Sequence, residues 1–490
     1  MLVFDNTYAR LPDRFFERVQ PTKVAEPALV KLNRPLAELL GADVALLESP
    51  EGAQLLAGNR IPPGAEPIAL AYAGHQFGHF VPQLGDGRAI LLGEVIGKDG
   101  RRRDIQLKGA GRTRFSRGGD GRAALGPVLR EYVVSEAMAA LGIPTTRALA
   151  AVTTGEGVRR DEILPGAILT RVAASHVRVG TFQYFAGKGD QEALRILTAY
   201  VLARHYPDAA GTGNDALALL ERVIDVQAKL VAKWLGVGFV HGVMNTDNTA
   251  ISGETLDYGP CAFIDDYDPD KTFSSIDHGG RYAFANQRRI ALWNMTRLGE
   301  ALLGIVSDDD DLAVRLVTER LERFESQFES AYLDVMRAKL GLVRSDDGDR
   351  ALIADLLTEL ATHHVDYTVF FRRFVGAAAD PSADARVASM FESDPNAFRA
   401  WSESWRRRLT TEAVPPEARR AAMLRANPAF IPRNHRVEQA IAAAIRHHDF
   451  EPFETLVKTL GRPYDDQPEV AQLAEPPAPE ERVTATFCGT

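Results

Sequence analysis

Cysteine is nearly absent from the chain, with only Cys261 and Cys488 among 490 residues. That excludes a disulfide-stapled scaffold and points to a reducing compartment, so the expected location is the cytoplasm. No run of about 18 apolar residues occurs, which leaves no candidate for a membrane-crossing helix. The opening residues, MLVFDNTYARLPDRFF, carry acidic and aromatic side chains and no apolar segment, and do not read as a secretory leader. Positive charge is in deficit. With 57 Lys and Arg against 66 Asp and Glu the net charge is −9, which argues against nucleic acid or a membrane surface as general partners. Internal repeats are missing too. What remains is 45% apolar and 25% charged, the balance of an ordinary globular protein long enough for one large domain or two to three smaller ones.

The pattern divides the chain. Residues 1–60 read as a polar, Pro-punctuated extension with a short helix around Leu32 to Leu40. Strand signals follow in 61–155: Ala89 to Ile96 is a nearly continuous apolar run after the Gly85-Asp86-Gly87 turn, and Asp104 to Lys108 alternates with the two-residue period of a half-buried strand. Pro127 to Leu141 has helical spacing and is stopped by Gly142 and Pro144, with further strands expected at Arg147 to Thr153 and Ala167 to Val172. Residues 156–460 are mostly helical. Ala216 to Leu235 sets Leu219, Leu220, Val223, Ile224, Leu230, Val231 and Trp234 on one face. The Pro-, Glu- and Ala-rich tail, 461–490, reads as extended or loosely docked. The expected fold is α+β, strand-rich first and helix-rich second, with loop chemistry at the join.

That chemistry lies between His241 and Gly259, HGVMNTDNTAISGETLDYG. His-x-Asp-x-x-x-x-Asn followed by an Asp-aromatic-Gly is the catalytic and metal loop of protein kinases, in which the first Asp takes the substrate proton and the Asn and second Asp hold magnesium. Here His241, Asn248 and Asp257 keep the frame, but Val243 replaces the first Asp and cannot accept a proton. Asp247 is the nearby carboxylate able to do so. Three functions stay open on the loop alone: a dead remnant, a phosphotransferase with a shifted base, or different chemistry.

Other elements fall in the order such a site needs. Gly85 and Gly87 precede a strand and would let backbone amides approach a phosphate. Lys108 ends the next strand and Glu131 lies on the following helix, where the two could pair. GAGRTRFSRGGDGR, after Lys108, places Arg112, Arg114, Arg117 and Arg122 beside Asp120 and Gly121; it is either a solvated loop or a polyphosphate cradle. Arg171 and Arg178 could clamp a terminal phosphate or a leaving pyrophosphate. Asn248 and Asp257 offer the oxygen ligands a hard cation requires. His75 and His79, four apart but flanked by glycines, read as structural or pocket residues rather than zinc ligands, and His363, His364, His447 and His448 as surface. Trp401 and Trp405 read as a packed face, and the runs Asp308 to Asp311 and Arg406 to Arg408 as solvated charge.

The long segments around these positions identify a resemblance. YAGHQFGHFVPQLGDGRAILLGE, QLKGAGRTRFSRGGDGRA, REYVVSEAMAALGIPTTRAL, HGVMNTDN with DYGP, and NPAFIPRNHRVEQAI are similar to the selenoprotein O family, over almost the whole chain. The resemblance implies a protein-kinase-like two-lobed fold with an N-terminal extension and helical C-terminal additions. It implies AMPylation: ATP (with Mg2+ or Mn2+) held so that its α-phosphate faces the acceptor, AMP passed to Ser, Thr or Tyr hydroxyls of proteins, and pyrophosphate released. Carried over position by position, Asp247 is the proton acceptor, and Asn248 and Asp257 are the metal ligands. Lys108 with Glu131, Arg171 and Arg178 hold the polyphosphate, and Gly85, Gly87, Arg88, Asp120 and Gly121 are further nucleotide contacts. Cys488 stands where some members carry selenocysteine, and the family is linked to redox-dependent AMPylation. The reading adopted for the two thiols is a buried Cys261 and an unpaired Cys488. A phosphotransferase, or a non-catalytic nucleotide-binding redox sensor, remains the alternative.

Overall fold

The computed structural model describes residues 2–392 and 394–487, so the expectation for Cys488 lies outside the described residues. In chain order the strands are β1 (Phe16–Arg18), β2 (Ala28–Leu32), β3 (Ile68–Leu70), β4 (Gly74–Gln76), β5 (His79–Val81), β6 (Ala89–Ile96), β7 (Arg102–Lys108), β8 (Ala123–Ala124), β9 (Arg147–Arg159), β10 (Ile163–Ala173), β11 (Phe239–Val240) and β12 (Ala262–Phe263). One antiparallel sheet has the order β1-β3-β6-β7-β10-β9-β2, with β8 added to β10. β4–β5 and β11–β12 are separate two-stranded ladders. The architecture is mixed α and β with antiparallel sheets.

The two-residue period of the central strands separates their faces. Ile105 and Leu107 of β7 and Ile168 and Val172 of β10 point into one apolar core, beneath the Pro50–Leu56 helix. Gln106 and Lys108 point the other way, and Arg171 sits opposite Gln106 in the β7–β10 register. The pattern therefore aims one amide and two cations at the same side. That side is covered by the Leu125–Ala140 helix, which is buried almost all round. Its Val128, Leu129, Tyr132 and Val133 pack in a core with residues of the Asn434–His447 and Glu451–Leu460 helices, whereas Val134 and Met138 join the main helical core. Glu131, on the same helix, is carried into the interior by that packing.

Beyond Ala173 the chain is mainly helical. The Asp215–Val237 helix begins where Asn214 accepts from the Ala216 and Leu217 amides, and ends at Gly238 with φ 77°. Every residue of its anticipated apolar face is buried. Gly238 turns the chain into β11, which leads directly into the His241 loop.

Several expectations change. The first sixty residues are not a bare extension: β1 and β2 are the two outermost strands of the sheet, and three helices (Arg34–Leu39, Val44–Leu47 and Pro50–Leu56) lie within the same segment. A boundary after residue 155 falls inside β9, which continues into β10 as one long hairpin. Arg408 is not solvated: its side chain is 9% exposed and bridges Asp349 and Glu412, while Arg406 pairs with Asp384. His363 is not a surface residue either, its side chain being only 10% exposed. Trp401 and Trp405 do pack, with each indole N–H bonded to a backbone carbonyl. The tail is fastened, since Thr486 donates to the Phe273 carbonyl from its amide and to the Pro260 carbonyl from its hydroxyl, both at 2.7 Å.

Candidate active site

Three cations and two carboxylates interlock where the sheet meets the His241 loop. Lys108 Nζ lies 2.6 Å from Glu131 Oε2 and 3.3 Å from Asp257 Oδ1. Arg171 reaches Glu131 at 2.6 Å and Asp257 at 2.7 Å, and Arg178 reaches the second Asp257 oxygen at 2.6 Å. Burial by itself would raise the Asp257 carboxyl, but Arg171, Arg178 and Lys108 overcome that and hold it well below the usual carboxylate range. Asp257 is thus permanently anionic. It is also bent out of regular backbone, at φ 62°, a left-handed conformation that costs a non-glycine residue energy and is sustained by the surrounding contacts. Arg178 further donates to the Asp247 backbone carbonyl at 2.6 Å and lies over the Tyr72 ring. Asp86 lies 3.9 Å from it; this buried carboxylate accepts from the Leu70 amide and Gln106, yet its Oδ1 has no donor among the described residues. Burial raises the Asp86 carboxyl, and Arg178 opposes the rise.

The loop itself is held by side chains from elsewhere. His241 is neutral, because burial lowers its pKa; its Nε2 donates to the Leu256 carbonyl at 2.9 Å and its Nδ1 faces the Val243 amide. The ring therefore ties the start of the loop to the residue just before Asp257. Thr246 accepts from the His75 amide, and Asn245 from the Phe77 amide and the Tyr282 hydroxyl. The β4–β5 hairpin is thereby docked on the Thr246–Asn248 turn.

Asp247 sits under that hairpin. Its Oδ2 accepts from Gln76 at 3.3 Å, whereas its Oδ1 is buried with no donor among the described residues. Burial pushes the carboxyl up to about 6, with Arg178 drawing it partly back. A side chain on Gly74 would collide with this carboxylate, its Cβ falling 2.8 Å from Asp247 Cγ. Asn248 turns Nδ2 inward to the Val243 carbonyl at 3.0 Å, so its Oδ1 is the end left for a ligand.

These groups line a cavity of about 560 Å3. Gly85, Gly87, Arg88, Lys108, Asp120, Gly121, Arg171, Arg178, Asp247, Asn248 and Asp257 all contribute to its wall, and so does Val243. Glu131 does not; it lies behind Lys108. Gly85, at φ 73°, passes directly over the Phe115 ring, where a Cβ would overlap it. Of the arginines in the loop after Lys108, Arg117 and Arg122 face the cavity, while Arg112 and Arg114 do not line it. Asp120 does not present an idle carboxylate: Arg160 takes both oxygens, at 2.8 and 3.2 Å, and lowers its pKa.

The sequence reading missed Arg160, Gln76, Tyr72 and the Gly74 gap. Asp86 was visible between the two glycines but was not singled out. Gln76 and Tyr72 are common residues with no spacing signal, and only the fold brings them to Asp247 and Arg178. His75 behaves as a structural residue, pairing with Gln183 at 2.8 Å, and no group of three His, Cys, Asp or Glu gathers as a closed metal site among the described residues. Cys261 is buried, and burial pushes its thiol up to about 12, so it is not a reactive thiolate. No helix is long and apolar enough to cross a membrane among the described residues.

For a divalent cation the donor set fits. Asn248 Oδ1 and the anionic Asp257 are both oxygen donors, and a cation of the magnesium type needs only one or two protein ligands when phosphates and waters complete the shell.

Comparison with known proteins places the chain. The sequence model of the family described as protein adenylyltransferase SelO matches residues 1–461. The chain is 62% identical over 487 residues to the protein nucleotidyltransferase YdiU of Bradyrhizobium sp. (strain ORS 278), covering 99% of both chains. It is 62% identical over 493 residues to that of Methylorubrum populi and 61% identical over 487 residues to that of Rhodopseudomonas palustris (strain BisB5), each again over 99% of both chains. With a match of this extent, the chain belongs to the protein adenylyltransferase SelO family.

Proposed function

We propose that this protein moves the adenylyl group of ATP onto a Ser, Thr or Tyr hydroxyl of another protein and releases pyrophosphate. The observation that carries the reading is the contrast between two aspartates ten residues apart. Asp257 is locked as an anion, and Asp247 is a buried carboxylate raised to about 6 with one oxygen lacking a donor among the described residues. A metal ligand has to stay ionised; a general base works best with a pKa near the operating pH. On this reading the sheet with the Leu125–Ala140 helix is one lobe of a protein-kinase-like fold, the helix-rich remainder is the other, and ATP lies between them.

The residues then divide the work. Asp247 Oδ1 takes the proton of the acceptor hydroxyl, whose oxygen forms a bond to the α-phosphorus. The bond from that phosphorus to the bridging oxygen breaks, and pyrophosphate leaves with the electron pair. Lys108, Arg171 and Arg178 offset the charge that develops on the phosphates, and Glu131 keeps Lys108 and Arg171 in place. Gly85 and Gly87 let the backbone approach the nucleotide. Asn248 and Asp257 would hold Mg2+ or Mn2+, whose charge neutralises phosphate oxygens. Val243 gives the wall a non-polar side chain where a kinase base would stand, so no carboxylate is positioned there for γ-phosphoryl transfer.

ATP labelled separately at its α- and γ-phosphates tests this. The expected outcome is α-label on protein with γ-label in released pyrophosphate. Transfer of γ-label to protein without α-label would instead make the chain a kinase.

A further inference from the structure

Apart from the nucleotide cavity, two contiguous cavities of about 950 and 570 Å3 flank the Tyr367–Phe374 helix and share Arg372, Arg373, Ser389 and Asp466. The smaller is lined by Arg372, Arg373, Arg386 and Arg420 against a single carboxylate, Asp466. That carboxylate is already engaged by Arg372 at 2.5 Å. Arg373, Arg386 and Arg420 are exposed, and none forms an ion pair or side-chain hydrogen bond among the described residues. Arginines nearby behave differently: Arg337 and Arg408 share Asp349, Arg350 pairs with Glu329, and Arg406 with Asp384. Three guanidinium groups with no carboxylate in contact, Arg386 alone feeling the nearby charge of Asp380, therefore stand out in one hollow of a chain whose net charge is −9. They repel one another unless something anionic lies between them.

The larger cavity has another character. Val369, Met390, Phe430 and Pro476 give it apolar wall, and Glu392 and Glu475 add negative charge, whereas Asp266 is paired with Arg482 at 3.0 Å. A ligand occupying both must be anionic at one end and apolar at the other, with no regular repeat of negative charge. That description fits a polypeptide and not a nucleic acid, whose evenly spaced phosphates would meet those carboxylates. Planar guanidinium groups match carboxylates in pairs, and methionine adapts to varied apolar side chains.

We propose that this groove docks an acidic segment of the protein that receives the adenylyl group, with the acidic residues on Arg373, Arg386 and Arg420. The proposal rests on the adenylyl-transfer reading. It gives the enzyme a means of choosing acceptors by a segment distinct from the modified hydroxyl.

The test is a titration with a short fluorescein-labelled polyglutamate, read by anisotropy at low salt and without ATP. The wild-type protein should bind it. The charge-reversed triple variant Arg373→Glu, Arg386→Glu, Arg420→Glu should bind about tenfold more weakly or worse, since each exposed pair contributes a fraction of a kcal/mol. ATP binding should be unchanged. Because all three side chains are exposed, the variant should unfold at the wild-type temperature; if it does not, the Arg→Gln triple variant takes its place. Equal binding of polyglutamate by variant and wild type would overturn the proposal. So would tighter wild-type binding of a single-stranded oligonucleotide that the variant loses, which would assign the groove to nucleic acid. If the wild type places no α-label on any protein, the adenylyl-transfer reading falls, while this titration, made without ATP, still decides the groove.

Discussion

The two ends of the His241–Gly259 loop are opposites in their electrostatics. At one end, Asp257 is saturated with positive charge from Lys108, Arg171 and Arg178, all of them anchored on the sheet side or just after it. At the other end, Asp247 lies under a hairpin with one neutral donor, Gln76, and an oxygen that no donor among the described residues satisfies. The same side chain is thus a fixed anion in one place and a titrating group in the other. Neighbours, not residue type, assign the roles.

Removing the saturated end should do the most damage. Asp257→Ala would leave Arg171 and Arg178 buried beside each other without their shared anion, so transfer should fall by about 10³-fold or more. Stability should drop by about 3–5 kcal/mol, read by denaturant unfolding. A variant with near-normal transfer would mean that Asp257 and Asp247 do not divide the work in this way.

Asp247→Asn should separate activity from stability. The proton acceptor is lost, so kcat should fall by about 10²–10³-fold while ATP binding persists. Stability should move the other way. A carboxyl raised to about 6 in the folded protein binds its proton more tightly folded than unfolded, so its ionisation destabilises the fold as pH rises through that value. At pH 8 the Asn variant should be the more stable by up to about 3 kcal/mol, with the gap closing below pH 4. The wild-type rate should climb through about pH 6 as Asp247 ionises, and the residual rate of the variant should lack that step. An unchanged pH profile would remove Asp247 from the proton path.

The smallest change is Gly74→Ala. Its Cβ would press on the Asp247 carboxylate without touching the cation cluster, so kcat should drop about tenfold with ATP affinity intact. Equal losses in both would mean that the hairpin supports the whole cavity and not Asp247 alone.

How much of this could be read beforehand follows from how local each signal is. Lys108 and Glu131 fall at a strand end and on the next helix, and the structure joins them at 2.6 Å. The two-residue period of β7 and the register with β10 carry Lys108, Gln106 and Arg171 to one face, so the cation side was legible from alternation plus order. Gln76, Gly74 and Arg160 were not, because what matters is where they land: beside Asp247, some 170 residues away, and, from the turn of the β9–β10 hairpin, on Asp120 in the loop before β8. The strands β1 and β2 escaped for a related reason. Phe-Glu-Arg and Ala-Leu-Val-Lys-Leu are short and partly charged, as edge strands are, and they carry little pattern of their own. Arg408 shows the same limit, since the run Arg406 to Arg408 looks solvated until Asp349 arrives from another helix.

The origin of those two edge strands bears on how the sheet can assemble during synthesis. β1 pairs with β3, and β2 with β9, with Phe16 opposite Leu70 and Ala28 opposite Thr153. The first strands made are therefore the outermost ones, and β2 has to wait on the ribosome for more than a hundred residues before its partner emerges. The β2 border can therefore close only after the interior strands up to β9 are made, whereas β1 can pair as soon as β3 follows it. A chain trimmed from its N-terminus would lose both borders together and expose β3 and β9 as unpaired edges, so such trimming should lead to aggregation before it alters any catalytic group.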